Sequence, residues 1–202
     1  MKKQVTLIIA LVIVAFSYGQ KMKVVNGGFD FIKDQKEINV EFVYDNLTLY
    51  KDNRTNEQYV KERTAELEEK SRGKGDAWAK KWDSSKELIY QPKFLELVNN
   101  YLNKKKGVYM AENLADAKYT LIVDVAWIYP GYNVGVMRKG AKLSTNLTFV
   151  ETANKENVLL EITAKNAPGD RYGGSFSNED RIGEGFAKTG KTLAGLILKK
   201  AF

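Results

Sequence analysis

From Tyr119 to Ala164 the chain changes sides every second residue in three successive stretches, and this restricts the fold more than any other feature. Tyr119, Leu121, Val123, Val125, Trp127 and Tyr129 alternate with Thr120, Ile122, Asp124, Ala126 and Ile128. Leu143, Thr145, Leu147 and Phe149 share one side of Ala141 to Val150, and Val158, Leu160 and Ile162 share one side of Val158 to Ala164. Period two with β-branched and aromatic residues predicts strands. The short polar turn Asn154-Lys155-Glu156-Asn157 predicts antiparallel neighbours. Glu37 to Tyr50 alternates in the same way, with Ile38, Val40, Phe42 and Tyr44 inward, and Val24 to Phe31 reads as a short strand or arm. Between the first two stretches of the meander, Pro130 to Gly140 is expected to form a longer, mobile link.

The remaining segments carry helical signals. Thr55 and Gln58 match a capping box, so a charged surface helix is expected over Glu57 to Ser71. Asp76 is the expected N-cap of a second helix, on which Trp78 and Trp82, four apart, share a face. Gln91-Pro92 opens a third, with proline in the first turn and Phe94, Leu95, Val98, Tyr101 and Leu102 as its buried stripe. Lys104 to Lys106 and Gly107 close it with cations and a C-terminal glycine. After a glycine- and serine-rich loop from Gly169 through Ser177, Ile182, Phe186, Thr189, Leu193, Leu196 and Ile197 predict a final helix from Asn178 to Lys200. Its small residues Gly183, Ala187, Gly190 and Ala194 form an adjoining stripe that would seat it closely on a sheet. The expected architecture is α+β: a mixed, largely antiparallel sheet with helices packed on one face and a C-terminal helix, one domain over residues 20–202.

Residues 1–19, MKKQVTLIIALVIVAFSYG, have the layout of a secretory signal peptide. Lys2 and Lys3 form the positive start, Val5 to Phe16 is the apolar run, and Ser17 and Gly19 supply small side chains before Gln20. The alternative is an uncleaved anchor, but the apolar run falls short of the roughly 20 residues that a spanning helix needs. The expected location is therefore periplasmic or secreted, where nucleotides are scarce.

Composition removes several chemistries. The chain has no cysteine and no histidine. Disulfides and a lipid anchor of the bacterial-lipoprotein kind are not expected, nor zinc sites of familiar type, nor Ser-His or Cys-His catalysis. The formal charge of +7 is chiefly a solubility device. Its clusters, Lys104 to Lys106 and Lys199-Lys200, are weak attractors for an anionic membrane or polysaccharide, and no recognition module points to nucleic acid.

Residues 185 to 192, Gly-Phe-Ala-Lys-Thr-Gly-Lys-Thr, fit the phosphate-loop pattern letter for letter. That chemistry needs a strand, then a loop of free N–H groups, then a helix beginning at Lys-Thr. Here apolar periodicity runs through the segment from Ile182 to Ile197. Gly185, Gly190, Lys191 and Thr192 are therefore read as part of a packed helix and no nucleotide or other cofactor is expected. Trp78 and Trp82 could stack on sugar rings, although the spacing suits core. Trp127, Tyr129 and Tyr132 at a strand end are the leading surface-site candidates, since loops held by a sheet often carry binding, although the alternation suits burial of Trp127. Glu66, Glu68 and Glu69 lie on a charged helix, and Glu179, Asp180 and Glu184 suit the first turn of the last helix. Neither set has calcium-loop spacing, and no metal is expected.

The stretch from Lys106-Gly107-Val108 to Ala115-Asp116-Ala117-Lys118-Tyr119-Thr120-Leu121-Ile122-Val123 leads into the meander. It resembles the amino-terminal domain of the Tol-system periplasmic protein and the periplasmic domain of the curli-secretion lipoprotein. Lys74-Gly75-Asp76-Ala77-Trp78 and Gln91-Pro92-Lys93-Phe94 are similar to segments of secreted proteins of Bacteroidetes. The resemblance implies an α+β sandwich with no catalytic residues to carry across. The expected function is that of an exported, non-catalytic protein-interaction or assembly module, whose partner is an envelope protein or cell-surface component. The alternatives are a glycan- or lipid-binding protein and a hydrolase built on carboxylates.

Overall fold

The computed structural model describes residues 20–169 and 177–202. The leader and most of the glycine- and serine-rich loop lie outside the described residues. The elements run β1 (Lys21–Gly27), β2 (Glu37–Val43), β3 (Thr48–Leu49), β4 (Arg54–Thr55), α1 (Asn56–Lys70) and α2 (Lys74–Ser85). Then come α3 (Gln91–Lys106), β5 (Tyr109–Ala111), β6 (Tyr119–Tyr129), β7 (Tyr132–Val134), β8 (Met137–Lys139), β9 (Lys142–Glu151), β10 (Asn154–Pro168) and α4 (Asn178–Lys200).

The main sheet has the order β1-β10-β9-β6-β2-β5. The meander β6-β9-β10 and its neighbour β1 are antiparallel, whereas β2 lies parallel to both β6 and β5. The fold is α+β, with a mixed and largely antiparallel sheet, helices on one face and α4 at the C-terminus. The alternation predicts most inward residues: Leu121, Val123, Val125, Leu143, Leu147, Phe149, Leu160 and Ile162 are buried in the core, whereas Val158, flanked by register shifts, is exposed. The buried residues meet Phe94, Val98 and Leu102 of α3 and Ile182, Phe186, Leu193 and Ile197 of α4.

Four local expectations are corrected. The Glu37 to Tyr50 run is two strands, because Leu47 turns back to bond the Tyr44 carbonyl and only Thr48–Leu49 rejoins the sheet, beside Trp127 and Ile128. The second helix begins at Lys74 rather than after Asp76, since the Glu68 carboxylate of the preceding helix accepts from the Gly73 and Gly75 amides. No gap separates α2 from α3; a π-helical turn, Lys86–Tyr90, joins them. Pro92 explains it: a proline ring cannot face the carbonyl four residues back in a regular helix, so the turn before it widens. Lastly, Pro130 to Gly140 carries the hairpin β7-β8, which pairs with no other strand among the described residues.

The small-residue stripe of α4 faces a different neighbour from the one its composition suggested. A Cβ on Gly190 would lie 2.4 Å from the Phe94 carbonyl oxygen, and one on Gly183 would lie 2.8 Å from the Ile89 and Lys93 side chains. These glycines thus seat α4 against the Lys74–Lys106 helical segment. Gly185, outside that stripe, is the glycine that faces the sheet, at Leu143. Packing specificity between helices comes from this absence of side chains.

Candidate functional site

Two groups of aromatic residues, far apart in the chain, meet in one open cleft at the end of β6. The first belongs to α2. Trp82 is buried and donates its indole N–H to Asn56 Oδ1 at 3.0 Å. Trp78 stacks on it at 5.7 Å between ring centroids, is half-buried and lines the cleft. The helical spacing thus foretold the shared face, and burial separates the two residues into one core and one cleft residue.

The second group sits at the end of β6, where the strand departs from strict alternation. A bulge between Val125 and Trp127 shifts the register against β9. Ile128 consequently turns into the core at 0% exposure, while Trp127 and Tyr129, which the alternation groups with Leu121, Val123 and Val125, are left half-buried. Bulges re-aim side chains in this way beside binding sites. Trp127 Nε1 donates to the Tyr50 carbonyl at 2.6 Å, and the Tyr50 amide donates to the Ile128 carbonyl. Those two bonds hold Tyr50 at φ 60, a left-handed conformation that costs a non-glycine residue about 1 kcal/mol or more.

Tyr50 and Tyr59 join the two groups. Tyr50 packs on Tyr129 at 5.7 Å and on Tyr59 at 5.6 Å, and Tyr59 packs on both Trp78 and Trp82. Each such contact adds about 0.5–1.5 kcal/mol beyond area burial, so the ring chain is also the mechanical tie between helices and strand end. Neither tyrosine stood out in the sequence. Tyr50 looked like the last residue of a strand, and Tyr59 like one of a few apolar groups on a charged helix. Burial pushes the Tyr59 hydroxyl well above its ordinary range, with the neighbouring Tyr50 adding to the effect; it is a neutral group.

The cleft measures about 1020 Å³. Tyr59, Glu62, Arg63, Glu66 and Trp78 form one wall; Tyr50, Lys51, Asp52, Arg54, Tyr129, Tyr132 and Lys139 form the other, and Glu179 lies at the start of α4. Its carboxylates are matched by cations. Arg54 pairs with Asp52 and Glu62, each at 2.5 Å, and so crosses from one wall to the other. Glu66 is held down at about 2 by hydrogen bonds from Lys70 and Arg63. Burial works to raise Glu179, but the Ser177 hydroxyl, its own backbone amide and Lys81 outweigh it and lower its pKa. Lys139 places its ammonium over the Tyr129 ring at 4.9 Å. A smaller hollow elsewhere is lined by Glu41 and Glu112; there Lys155 pairs with Glu41 at 2.6 Å, and burial raises Glu112, with Glu87 adding to it.

Of the sequence candidates, Trp78, Tyr129 and Tyr132 line the cleft, Trp127 supports it through Tyr50, and Trp82 stands behind Trp78. Residues 185 to 192 lie inside α4. Gly185 and Gly190 are buried there, Lys191 sits over the Tyr101 ring at 5.1 Å, and the Thr192 hydroxyl donates to the Lys188 carbonyl. Backbone amides committed to a helix interior have no free N–H groups to wrap a phosphate. Among the described residues no three metal-ligating side chains cluster, and no helix is long and apolar enough to cross a membrane.

No family model matches the chain, and no curated protein matches it. Among solved structures, it is similar to the PelC dodecamer from Paraburkholderia phytofirmans, at 14% identity over 87% of this chain and 97% of that one, with a TM-score of 0.39. A variant of the same dodecamer gives 11% identity over 84% and 96%, with a TM-score of 0.35. A chain described as a neuraminyllactose-binding hemagglutinin homolog, from Helicobacter pylori, gives 14% identity over 87% of each, with a TM-score of 0.25. Likenesses this weak leave the function to be argued from the cleft itself.

Proposed function

We propose that this chain is an exported, non-catalytic binding protein of the cell envelope, and that the aromatic cleft takes a saccharide chain. The observation that carries this reading is the convergence of Trp78, Tyr129 and Tyr132 with arginine, lysine and carboxylate side chains in a single open groove. Sugars present apolar ring faces edged by hydroxyls. Aromatic surfaces suit the faces, and charged groups held in place by their ion pairs offer hydrogen bonds to the hydroxyls.

The cleft is concave, which suits such a ligand better than the flat contact of an assembly module. It is also open and polar-lined, unlike the closed apolar cavity that a lipid chain would require. A carboxylate hydrolase needs a carboxylic acid with a raised pKa to protonate the leaving group. Where the cleft carboxyls Asp52, Glu66 and Glu179 shift, they shift downward, which favours binding over hydrolysis.

The test is titration of the mature chain with acidic and neutral oligosaccharides, followed by calorimetry. Trp78→Ala and Tyr132→Ala are each expected to weaken binding about tenfold, the effect of losing one aromatic contact in a binding site. Tyr109→Ala, an exposed tyrosine away from the cleft, leaves it unchanged. Binding that ignores Trp78 and Tyr132, or no saccharide binding at all, overturns the reading.

A further inference from the structure

The hairpin β7-β8 carries an unusual surface. Val136 is 100% exposed, Val134 and Met137 are each 59% exposed, and Tyr132 is 41% exposed. Three of these apolar side chains sit at the tip of a two-stranded ribbon that no other strand joins among the described residues. The tip is built to stand out. Gly135, at φ 70, takes the first central position of a two-residue turn between the paired Val134 and Met137. That is the position where a right-twisted hairpin calls for a positive φ. The turn therefore does not reflect a collapsed loop; it holds valine and methionine away from the core.

Cations stand directly behind the apolar tip. Arg138 and Lys139 follow Met137 on β8, which places them about 3 and 7 Å back along the strand. Arg138 is exposed and makes no ion pair among the described residues. Lys142 begins the next strand, also exposed. Tyr132 pairs with Lys139 across the hairpin, at the level of the charges. Apolar side chains at the end, with tyrosine and basic residues behind them, match the order of layers met on entering a bilayer: acyl boundary, then headgroups.

We infer that the β7-β8 hairpin docks the protein on an anionic lipid surface, with Val134, Val136 and Met137 entering the headgroup–acyl boundary and Arg138 against lipid phosphates. A protein partner fits less well. A stable protein interface buries about 1,000 Å² or more, more than three apolar side chains at a hairpin tip supply by themselves. A lipid surface closes around a protrusion of any shape. Val136 and Arg138 do not line the cleft, whereas Tyr132, Val134 and Lys139 do, so substitutions at Val136 and Arg138 test the lipid contact apart from the ligand in the cleft.

The test is sedimentation of the mature chain with phosphatidylglycerol–phosphatidylethanolamine vesicles and, in parallel, with phosphatidylcholine vesicles. Binding is expected to the first and to be much weaker to the second. Val136→Asp should lower the partition coefficient at least about tenfold, combining lost apolar insertion with a repelled charge. Arg138→Gln should lower it about fivefold, the worth of one cation near an anionic surface. Circular dichroism checks that both variants fold, and Val136→Ser serves as a milder substitution if the aspartate variant does not. Absence of vesicle binding, equal binding to the two vesicle types, or binding indifferent to Val136 overturns the proposal. So does self-association in sedimentation velocity that Val136→Asp abolishes without any vesicle binding, which would assign the tip to a second copy of this chain.

Discussion

Gly190 shows how a single missing side chain sets a helix contact. Its Cβ, if present, would lie 2.4 Å from the Phe94 carbonyl oxygen, a backbone atom that cannot swing aside. Gly190→Ala should therefore destabilise the protein by about 1–3 kcal/mol, the usual cost of overpacking. Gly195, five residues on in the same helix, has open space where its Cβ would stand. Gly195→Ala should gain up to about 1 kcal/mol from helix propensity. Urea denaturation of the two variants should give opposite signs. Equal effects would mean that the close approach of α3 and α4 is not what the glycine serves. Tyr50 makes a related point at the cleft, where two backbone hydrogen bonds hold a tyrosine in a conformation it would not choose.

At the scale of elements, the helices are ended by identifiable groups. The Thr55 hydroxyl accepts from the Gln58 amide at 3.2 Å, and the Gln58 side chain accepts from the Thr55 amide at 3.0 Å. Both halves of the capping box read from the sequence are made, although the helix begins one residue earlier than expected. Thr55→Ala should cost about 1 kcal/mol, measured as a lower urea midpoint with an unchanged slope. Tyr59 is the one fully buried residue of this helix; Val60 packs against the core and Glu68 ties its end to the Gly73 and Gly75 amides. The strand end follows a similar rule. The bulge in β6 costs a regular ladder position and delivers Trp127 to Tyr50, and through it the cleft wall.

At the scale of the molecule, one hydrophobic cluster reaches from Phe29 and Ile32 through the sheet to Ile197 and Ala201. It includes Trp82 and packs against Trp78, so the helices carrying the cleft share the core of the meander. Unfolding should accordingly be one cooperative event. Far-UV circular dichroism and tryptophan fluorescence, reporting on sheet and cleft respectively, should lose their signals at the same temperature. Separate midpoints would show that α1 and α2 form an independent unit. The Arg54–Glu62 pair crosses the cleft at its solvent-exposed edge, and surface pairs of this kind shape a rim more than they stabilise a fold.

Periodicity made the architecture readable before any coordinates: the three alternating stretches, the capping box and the final helix each follow from local chemistry within a few residues. Local rules could not foresee the bulge at Val125–Trp127, since an extra residue in one strand is decided by its partner β9. Nor could they tell that the glycine stripe of α4 meets a helix rather than the sheet, because spacing defines a face but not its neighbour. The cleft depends wholly on such choices. Trp78 and Tyr129 lie fifty-one residues apart in the chain and come together only because Tyr50 and Tyr59, unremarkable in their own surroundings, pack on both. Side-chain patterning along one segment carries the element; which segments touch is settled by the shared core, where every element's burial depends on all the others.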